Sequence, residues 1–231
     1  MALQIVALVP MRHHSERVPG KNYRLFAGQP LFHRIVETLQ QCPSISQIYL
    51  DTDSPCILES ARTAFPTVGL LIRPPHLRDG HISMNAVLAH SVAQVPADLY
   101  LQTHCTNPLL QADTIERAIA TLQTHPECDS LFAVTPRHTR FYWPDGRPVN
   151  HDPAALVRTQ DLPPLLEENS NLYLFSPAVM TQCQRRIGRN PYLFPIPAAE
   201  AWDIDEELDW SIAEFLWHRQ NEAKISPKSP N

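Results

Sequence analysis

Leu3-Gln-Ile-Val-Ala-Leu-Val9, running on into Pro10-Met-Arg-His-His-Ser-Glu-Arg-Val-Pro-Gly-Lys-Asn22, is the stretch on which the reading of this chain turns. The first part is a compact apolar run and reads as a buried strand. The second part is a loop carrying Arg12, Ser15, Arg17 and Lys21. In open α/β sheets ligands bind beyond the carboxyl ends of the strands. Arg offers a planar fork of donors and Lys a compact point charge, so this set suits a polyphosphate. A solvated surface loop is the competing reading. The chain has neither G-x-x-x-x-G-K-[ST] nor G-x-G-x-x-G and only six Gly, which argues against a P-loop or a standard dinucleotide fingerprint.

Outward from this stretch, strands alternate with helices. Pro30–Gln41 reads as a helix, with Leu31, Ile35 and Leu39 on one face. Strands are expected at 45–50, 68–72, 98–102, 130–135 and 172–175. Helices are expected at 55–64, where Ser54 caps and Pro55 opens the first turn, at 83–95, and at 113–123, where Asp113 and Glu116 form a capping-box pattern. A last helix spans 206–219, with Leu208, Ile212, Phe215 and Leu216 as its buried stripe. The final Lys224–Asn231 reads as a frayed end. This alternation implies an α/β fold with a mainly parallel sheet flanked by helices. Residues 136–171 break the pattern. They are rich in Pro, carry Phe141, Tyr142 and Trp143, and contain the turn signal Asp145-Gly146. Structureless loops of this length are uncommon, so a small protruding subdomain is expected.

Bulk properties narrow the function. A chain of 231 residues holds one full domain, 43% hydrophobic content suits a globular protein, and a net charge of −5 argues against nucleic-acid or membrane-surface binding. The five Cys are odd in number and show no metal or redox spacing. They read as small hydrophobes in a reducing compartment, hence a cytoplasmic protein. The apolar start is too short for a signal or a membrane span.

A second constellation is Ala199-Glu-Ala-Trp-Asp-Ile-Asp-Glu-Glu-Leu-Asp209. In extended chain Asp203 and Asp205 share one side and Trp202 and Ile204 the other. Two carboxylates on one face can hold a hard cation whose remaining ligands are phosphates. Equally, Asp205 can cap the following helix. Asp51-Thr52-Asp53-Ser54 reads as turn and cap. Arg73 alone reads as a surface cation at a strand end, and His104 as a hydrogen-bonded loop residue.

The order of residues in Pro10–Asn22 resembles the opening motif P-A-R-G-G-S-K-R-I-P-G-K-N of the CMP-sugar synthetases, the acylneuraminate cytidylyltransferase family. Pro10, Arg12, Ser15, Arg17, Pro19, Gly20, Lys21 and Asn22 match. His13-His14 stand where that family has two glycines, and Glu16 where it has Lys. Five further stretches resemble segments of that family. Arg73-Pro-Pro-His-Leu77 with Ser83 is similar to its R-P-x-x-L segment and later Ser. Leu101-Gln-Thr-His-Cys-Thr-Asn-Pro-Leu109 is similar to L-Q-P-T-S-P-L with two residues more. Asn169-Ser-Asn-Leu-Tyr173 is similar to N-G-A-I-Y, and Asp203-Ile204-Asp205 to its D-I-D element. Arg158-Thr-Gln-Asp-Leu-Pro163 is similar to R-Q-x-L-P, with Arg displaced by one residue.

The resemblance implies a Rossmann-like nucleotidyltransferase fold, one domain over 1–231 with 136–171 as an inserted dimerisation arm. It implies transfer of CMP from CTP to a sugar acid with release of pyrophosphate, in a homodimer. Arg12, Ser15 and Lys21 would hold the triphosphate, Arg12 and Lys21 acting in catalysis. Asn22, Arg73 and Ser83 would contact the nucleoside. Gln102, Asn169, Tyr173 and Arg158 would orient the acceptor, and Asp203 and Asp205 would bind Mg²⁺. The alternatives are another nucleotidyltransferase or nucleotide-sugar glycosyltransferase, and a non-catalytic nucleotide-binding module.

Overall fold

β1 (Ile5–Met11) is buried along its whole length, and the reason lies in its alternation. Ile5, Ala7, Val9 and Met11 enter one apolar layer, while Val6 and Leu8 enter the opposite one. A strand covered on both faces has no room for polar residues, which is why it reads as a continuous apolar run. In the computed structural model, which describes residues 3–155 and 157–225, β1 lies in a seven-stranded sheet. The strands are β4 (Gln47–Thr52), β5 (Gly69–Ile72), β6 (Leu99–Thr103), β7 (Ser130–Arg137), β8 (Leu165–Phe175) and β9 (Pro191–Pro195), in spatial order β5-β4-β1-β6-β8-β7-β9. A short hairpin of β2 (Leu25–Phe26) and β3 (Gln29–Pro30) stands apart. β1 pairs in parallel with β4 and β6, β4 with β5, and β7 with β9. Among the described strands of this sheet only β8 runs antiparallel, against β6 and β7. The expected mainly parallel sheet is therefore present.

Helices α1 (Leu31–Gln40), α2 (Pro55–Ala64) and α4 (Ala112–Thr124) cover one face through Phe32, Ile35, Ile57, Ala61, Ile115 and Ile119. Helices α3 (Met84–Gln94) and α5 (Pro177–Cys183) cover the other through Leu88, Val179 and Met180. The last helix, α6 (Glu207–Ile225), closes a third cluster in which Trp210 and Ala213 meet Val18, Phe26, Leu31 and Ile204. This cluster ties the first loop to the end of the chain. Among the described residues no helix is long and apolar enough to cross a membrane.

Several expectations need correction. The buried stripe of α6 is Trp210, Ala213 and Trp217, whereas Leu208 and Phe215 are 69% and 60% exposed. The two large indoles fill the space beside Phe26, and they set the rotation of the helix. The capping box of α4 does not form. Gln111 is the N-cap residue but its side chain does not cap the helix, and the buried carboxylate of Glu200 instead accepts from Gln111 N and Thr114 Oγ1. Glu116 turns away to Ser44, and Asp113 pairs with Arg117. The strand expected at 172–175 begins earlier, at Leu165, because β8 carries a register shift opposite Phe132–Val134. Ser170, with φ 56, sits in that irregularity. The ends of 136–171 consequently belong to β7 and β8, and 138–164 form the connection between them. The Asp145-Gly146 turn is made, with Gly146 at φ 85 and Tyr142 bridged to Pro148. Of the expected frayed end, residues 226–231 lie outside the described residues, and Lys224 and Ile225 close α6.

Candidate functional site

Three openings lie together beyond the carboxyl ends of the strands, where this architecture places ligands. The largest, about 490 Å³, is lined by Arg12, Ser15, Arg17 and Lys21 of the first loop, by Arg73, by Asp79–Ile82, by His104–Thr106 and by Asp205. A second, about 360 Å³, has Arg137, Glu167–Ser170, Asp203 and Asp209 in its wall. A third, about 190 Å³, is bounded by Met84, Asn85, Glu168 and Arg185–Ile187. Met84 is common to the first and third, and Glu168 to the second and third.

The first loop is shaped by few contacts. Gly20 has φ 68, and a Cβ there would stand 3.0 Å from the Tyr23 ring, so glycine is needed at this turn. Asn22 is buried behind the loop, where its Nδ2 donates to Arg12 O at 2.7 Å and its Oδ1 accepts from Cys105 Sγ. Burial pushes the Cys105 thiol up to about 12, so it remains a neutral donor. His13 and His14 keep negative φ. His13 is tied to the sheet: its backbone N donates to Asp53, its ring meets Ser54 Oγ at 2.8 Å, and it stacks on Tyr23. His14 faces the cleft. Gly80 leaves room for the Arg12 guanidinium, since a Cβ at Gly80 would lie 2.8 Å from Nη1.

Of Asp51-Thr52-Asp53-Ser54, Ser54 is the cap its sequence suggests, whereas Asp51 and Thr52 end β4 rather than form a turn. Ser54 accepts from Ile57 N at the start of α2. Asp51 takes a buried ion pair from Arg73 Nε at 2.6 Å and a hydrogen bond from Ser91 Oγ at 2.7 Å. Arg73 therefore lines the cleft while its Nε and Nη2 are committed to Asp51. It is a buried structural cation rather than a surface one. Ser83 does not join the cleft wall; its hydroxyl caps α3 by accepting from Ala86 N.

The D-I-D segment is held by Ile204, whose N donates to Thr106 O and whose side chain is fully buried. With Ile204 facing the core, Asp203 and Asp205 turn away from it. Asp205 pairs with Arg17 at 2.7 Å and with Lys21 at 3.6 Å, and Lys21 also donates to Ile204 O. The cap belongs to Asp209, whose Oδ2 accepts from Asp205 N and Glu206 N. Asp205 thus keeps its carboxylate for the cleft. Asp203 has a buried Oδ1 with no hydrogen-bond partner. Burial pushes its carboxyl above the usual range, Asp205 and Asp209 add to this, and Thr106 and Lys21 oppose it. An orphaned carboxylate oxygen beside two further acids fits a hard divalent cation. Among the described residues no three His, Cys, Asp or Glu converge to hold a metal unaided. Such a cation would take its remaining ligands from bound phosphates.

On the far side of His104 lies a buried polar cluster. Gln102 is fully buried; its Oε1 accepts from Arg186 Nη1 at 2.5 Å, so its Nε2 is the donor to His104 Nε2 at 2.9 Å. His104 Nε2 is an acceptor and its proton sits on Nδ1. Burial, with Arg186 and Lys21 adding to it, pulls His104 down to about 3. Arg186 stacks on Tyr173, with Cζ 3.5 Å from the ring centroid. Burial pushes the Tyr173 phenol up to about 12, and its hydroxyl donates to Glu168. Gln102 and Tyr173 therefore meet around Arg186. Asn169 instead lines the second opening and donates to Thr135. Arg158 stands on the 138–164 connection, paired with Asp161 and exposed. Arg186 was not singled out from sequence. It sits in a short irregular segment after α5, and no periodicity or motif marks it.

Comparison with known proteins agrees with this geometry. Residues 6–214 match the family model described as Cytidylyltransferase. The chain is 26% identical over 219 residues to N-acylneuraminate cytidylyltransferase A of Danio rerio, with 91% of this chain and 50% of that protein aligned. It therefore spans about half the length of that relative. It is 26% identical over 236 residues to the CMP-N,N'-diacetyllegionaminic acid synthase of Legionella pneumophila, covering 96% of this chain and 100% of that protein. The fold is similar to that of a solved CMP:2-keto-3-deoxy-manno-octonic acid synthetase, with TM-score 0.70, 15% identity, and 94% and 99% of the two chains covered. A loop of matched cations at the end of β1, a D-I-D segment closing on it, and a family match along nearly the whole chain lead to one conclusion. The chain belongs to the cytidylyltransferase family.

Proposed function

We propose that this chain joins CMP from CTP to a sugar acid and releases pyrophosphate. The observation that carries the reading is the main cleft, where Arg12, Ser15 and Lys21 stand at the end of β1 and Asp205 faces them. Arg12 and Lys21 supply positive charge for the triphosphate and for the leaving pyrophosphate. Phosphoryl-type transfer needs positioning and charge neutralisation more than covalent help from the protein. Asn22 sets the loop from behind, and Gln102 and Tyr173 sit where an acceptor enters past Met84. Asp203 and Asp205 would hold Mg²⁺, which supplies Lewis-acid stabilisation of phosphate charge when bound. No side-chain base is assigned: His104 has its proton on Nδ1 and its Nε2 occupied by Gln102.

The reading extends to a homodimer through the 138–164 connection and to a cytoplasmic location, which free cysteines suit. Its support is the surface of the connection, where Tyr142 and Trp143 are each 54% exposed and Val149 and Val157 are also exposed. The test is pyrophosphate release with CTP, Mg²⁺ and a panel of sialic, legionaminic and 3-deoxy-manno-octulosonic acids. Release with CTP and one of these acids is the expected result. Equal release with UTP would point to another nucleotidyltransferase or a glycosyltransferase, and tight CTP binding without release to a non-catalytic module.

A further inference from the structure

Arg186 is a cation that neither the triphosphate loop nor the family motifs use. Its side chain is 16% exposed. Gln102 Oε1 and the Tyr173 ring fix the plane of its guanidinium, and Asn85 Oδ1 accepts from its backbone N. Its nearest counter-charge is Glu168, 3.9 Å from Nη2, and that carboxylate already accepts from the Tyr173 hydroxyl. Burial lowers the Arg186 pKa, and the raising effects of Tyr173 and Glu168 are smaller. A buried guanidinium with one distant, shared carboxylate is poorly compensated, and such a charge costs stability unless something at the site uses it.

The surroundings indicate what uses it. The opening at Arg186 also contains Arg185 and Asn85, and Glu168 is its single acid. It shares Met84 with the main cleft. Gln102 is common to both places: its amide nitrogen meets His104 in the cleft wall and its oxygen orients Arg186. A planar, immobilised guanidinium is the donor geometry that matches a carboxylate two oxygens at a time. We propose that Arg186 reads the carboxylate of the acceptor sugar acid and is a specificity-determining residue of this chain. The identity of that acceptor rests on the cytidylyltransferase reading; the anion site itself rests on the geometry.

The test measures binding separately from turnover. Wild type, R186Q and R186K are titrated calorimetrically in the presence of Mg²⁺ and α,β-methylene-CTP. The ligands are 3-deoxy-manno-octulosonate, N-acetylneuraminate and N,N'-diacetyllegionaminate, each beside its carboxamide. Wild type should bind at least one acid about tenfold or more tighter than its amide. R186Q should lose that preference while its affinity for the CTP analogue stays within about twofold, which also reports that it is folded. R186K, a point charge without the fork, should keep only part of the preference. Equal losses for acid and amide, unchanged acid affinity in R186Q, full acid preference in R186K, or no acid bound by wild type would each overturn the assignment. Pyrophosphate release with CTP separates the two claims. An acid held through Arg186 without release removes the transfer reaction and leaves the carboxylate site. Release unaffected by R186Q does the reverse.

Discussion

The carboxylate of Asp205 stands 2.7 Å from the Arg17 guanidinium across 188 positions of chain, and 3.6 Å from the Lys21 ammonium. The acid at the end of the D-I-D segment is therefore the internal counter-ion of the first loop. Exposed pairs of this kind contribute little to stability, typically under about 1 kcal/mol. Under the proposed function their consequence is for binding, because phosphates entering the cleft would compete with Asp205 for the same two cations.

Lys21→Ala is expected to weaken CTP binding by about ten- to a hundredfold, the loss of a charge-assisted contact of about 1.5–3 kcal/mol. It should also lower stability by about 1 kcal/mol, since Ile204 O loses its donor. Arg17→Ala, at an exposed pair, should leave the melting temperature nearly unchanged. Calorimetric titration and thermal melts check both. Unaltered CTP affinity in Lys21→Ala removes the residue from the site.

Asp203 carries opposite expectations for stability and activity. Its folded pKa is raised, chiefly by burial, so its ionised form is penalised in the native state. The stability linked to it is present at low pH and is lost as pH rises through the raised value. Asp203→Asn should therefore melt higher than wild type near pH 7 without Mg²⁺; a gain of about 1 kcal/mol reads as about 2–4 °C in a chain of this size. Turnover should fall by orders of magnitude, and so should that of Asp205→Asn. Pyrophosphate release against Mg²⁺ concentration, beside melts of the apo proteins, decides this. Wild-type activity in both variants removes the metal assignment.

His104 gives an acid limb. Its folded pKa is about 3 against an ordinary 6.5, so below the ordinary value the unfolded chain binds a proton that the native chain refuses. Stability from this group is fully present above pH 6.5 and declines as pH falls toward 3, by at most about 1.4 kcal/mol per pH unit. His104→Gln should have a flatter urea-midpoint profile between pH 6 and 4, whatever its stability at pH 7. Parallel profiles for the two proteins would show that His104 titrates normally.

The 138–164 connection is expected to meet a second copy of the chain. Sedimentation should give about twice the monomer mass, and a Tyr142→Asp, Trp143→Asp variant should dissociate with little loss of monomer melting temperature, because both residues are exposed. A wild-type protein that is monomeric at micromolar concentration and fully active contradicts the arm's role.

What could be read from sequence follows the range of the interactions. α2 was legible to the residue because its start is set locally by Ser54 and Pro55. β1 and the alternating plan were legible because burial on both faces leaves an apolar run. The first loop and the D-I-D segment were legible as a resemblance. What was not legible depends on distant partners. The cap of α4 comes from Glu200, 86 residues from Thr114. The rotation of α6 is set by Trp210 and Trp217 against Phe26. The early start of β8 is hidden by an irregularity at Ser170. Arg73 reads as a strand-end cation because nothing local announces Asp51 as its partner. Arg186 gains its meaning from Gln102, 84 positions away.

The place of β8 also bears on how the chain comes to be made. β1, β4, β5 and β6 find their sheet partners within the first 103 residues. β7 is synthesised next, yet both its neighbours, β8 and β9, come later. On the ribosome the half built on β1 can assemble early, while β6 keeps an open edge and β7 waits unpaired until β8 has been added. The half that carries Tyr173 and Arg186 is therefore the last to be born, and until it closes β6 and β7 are the strands left exposed.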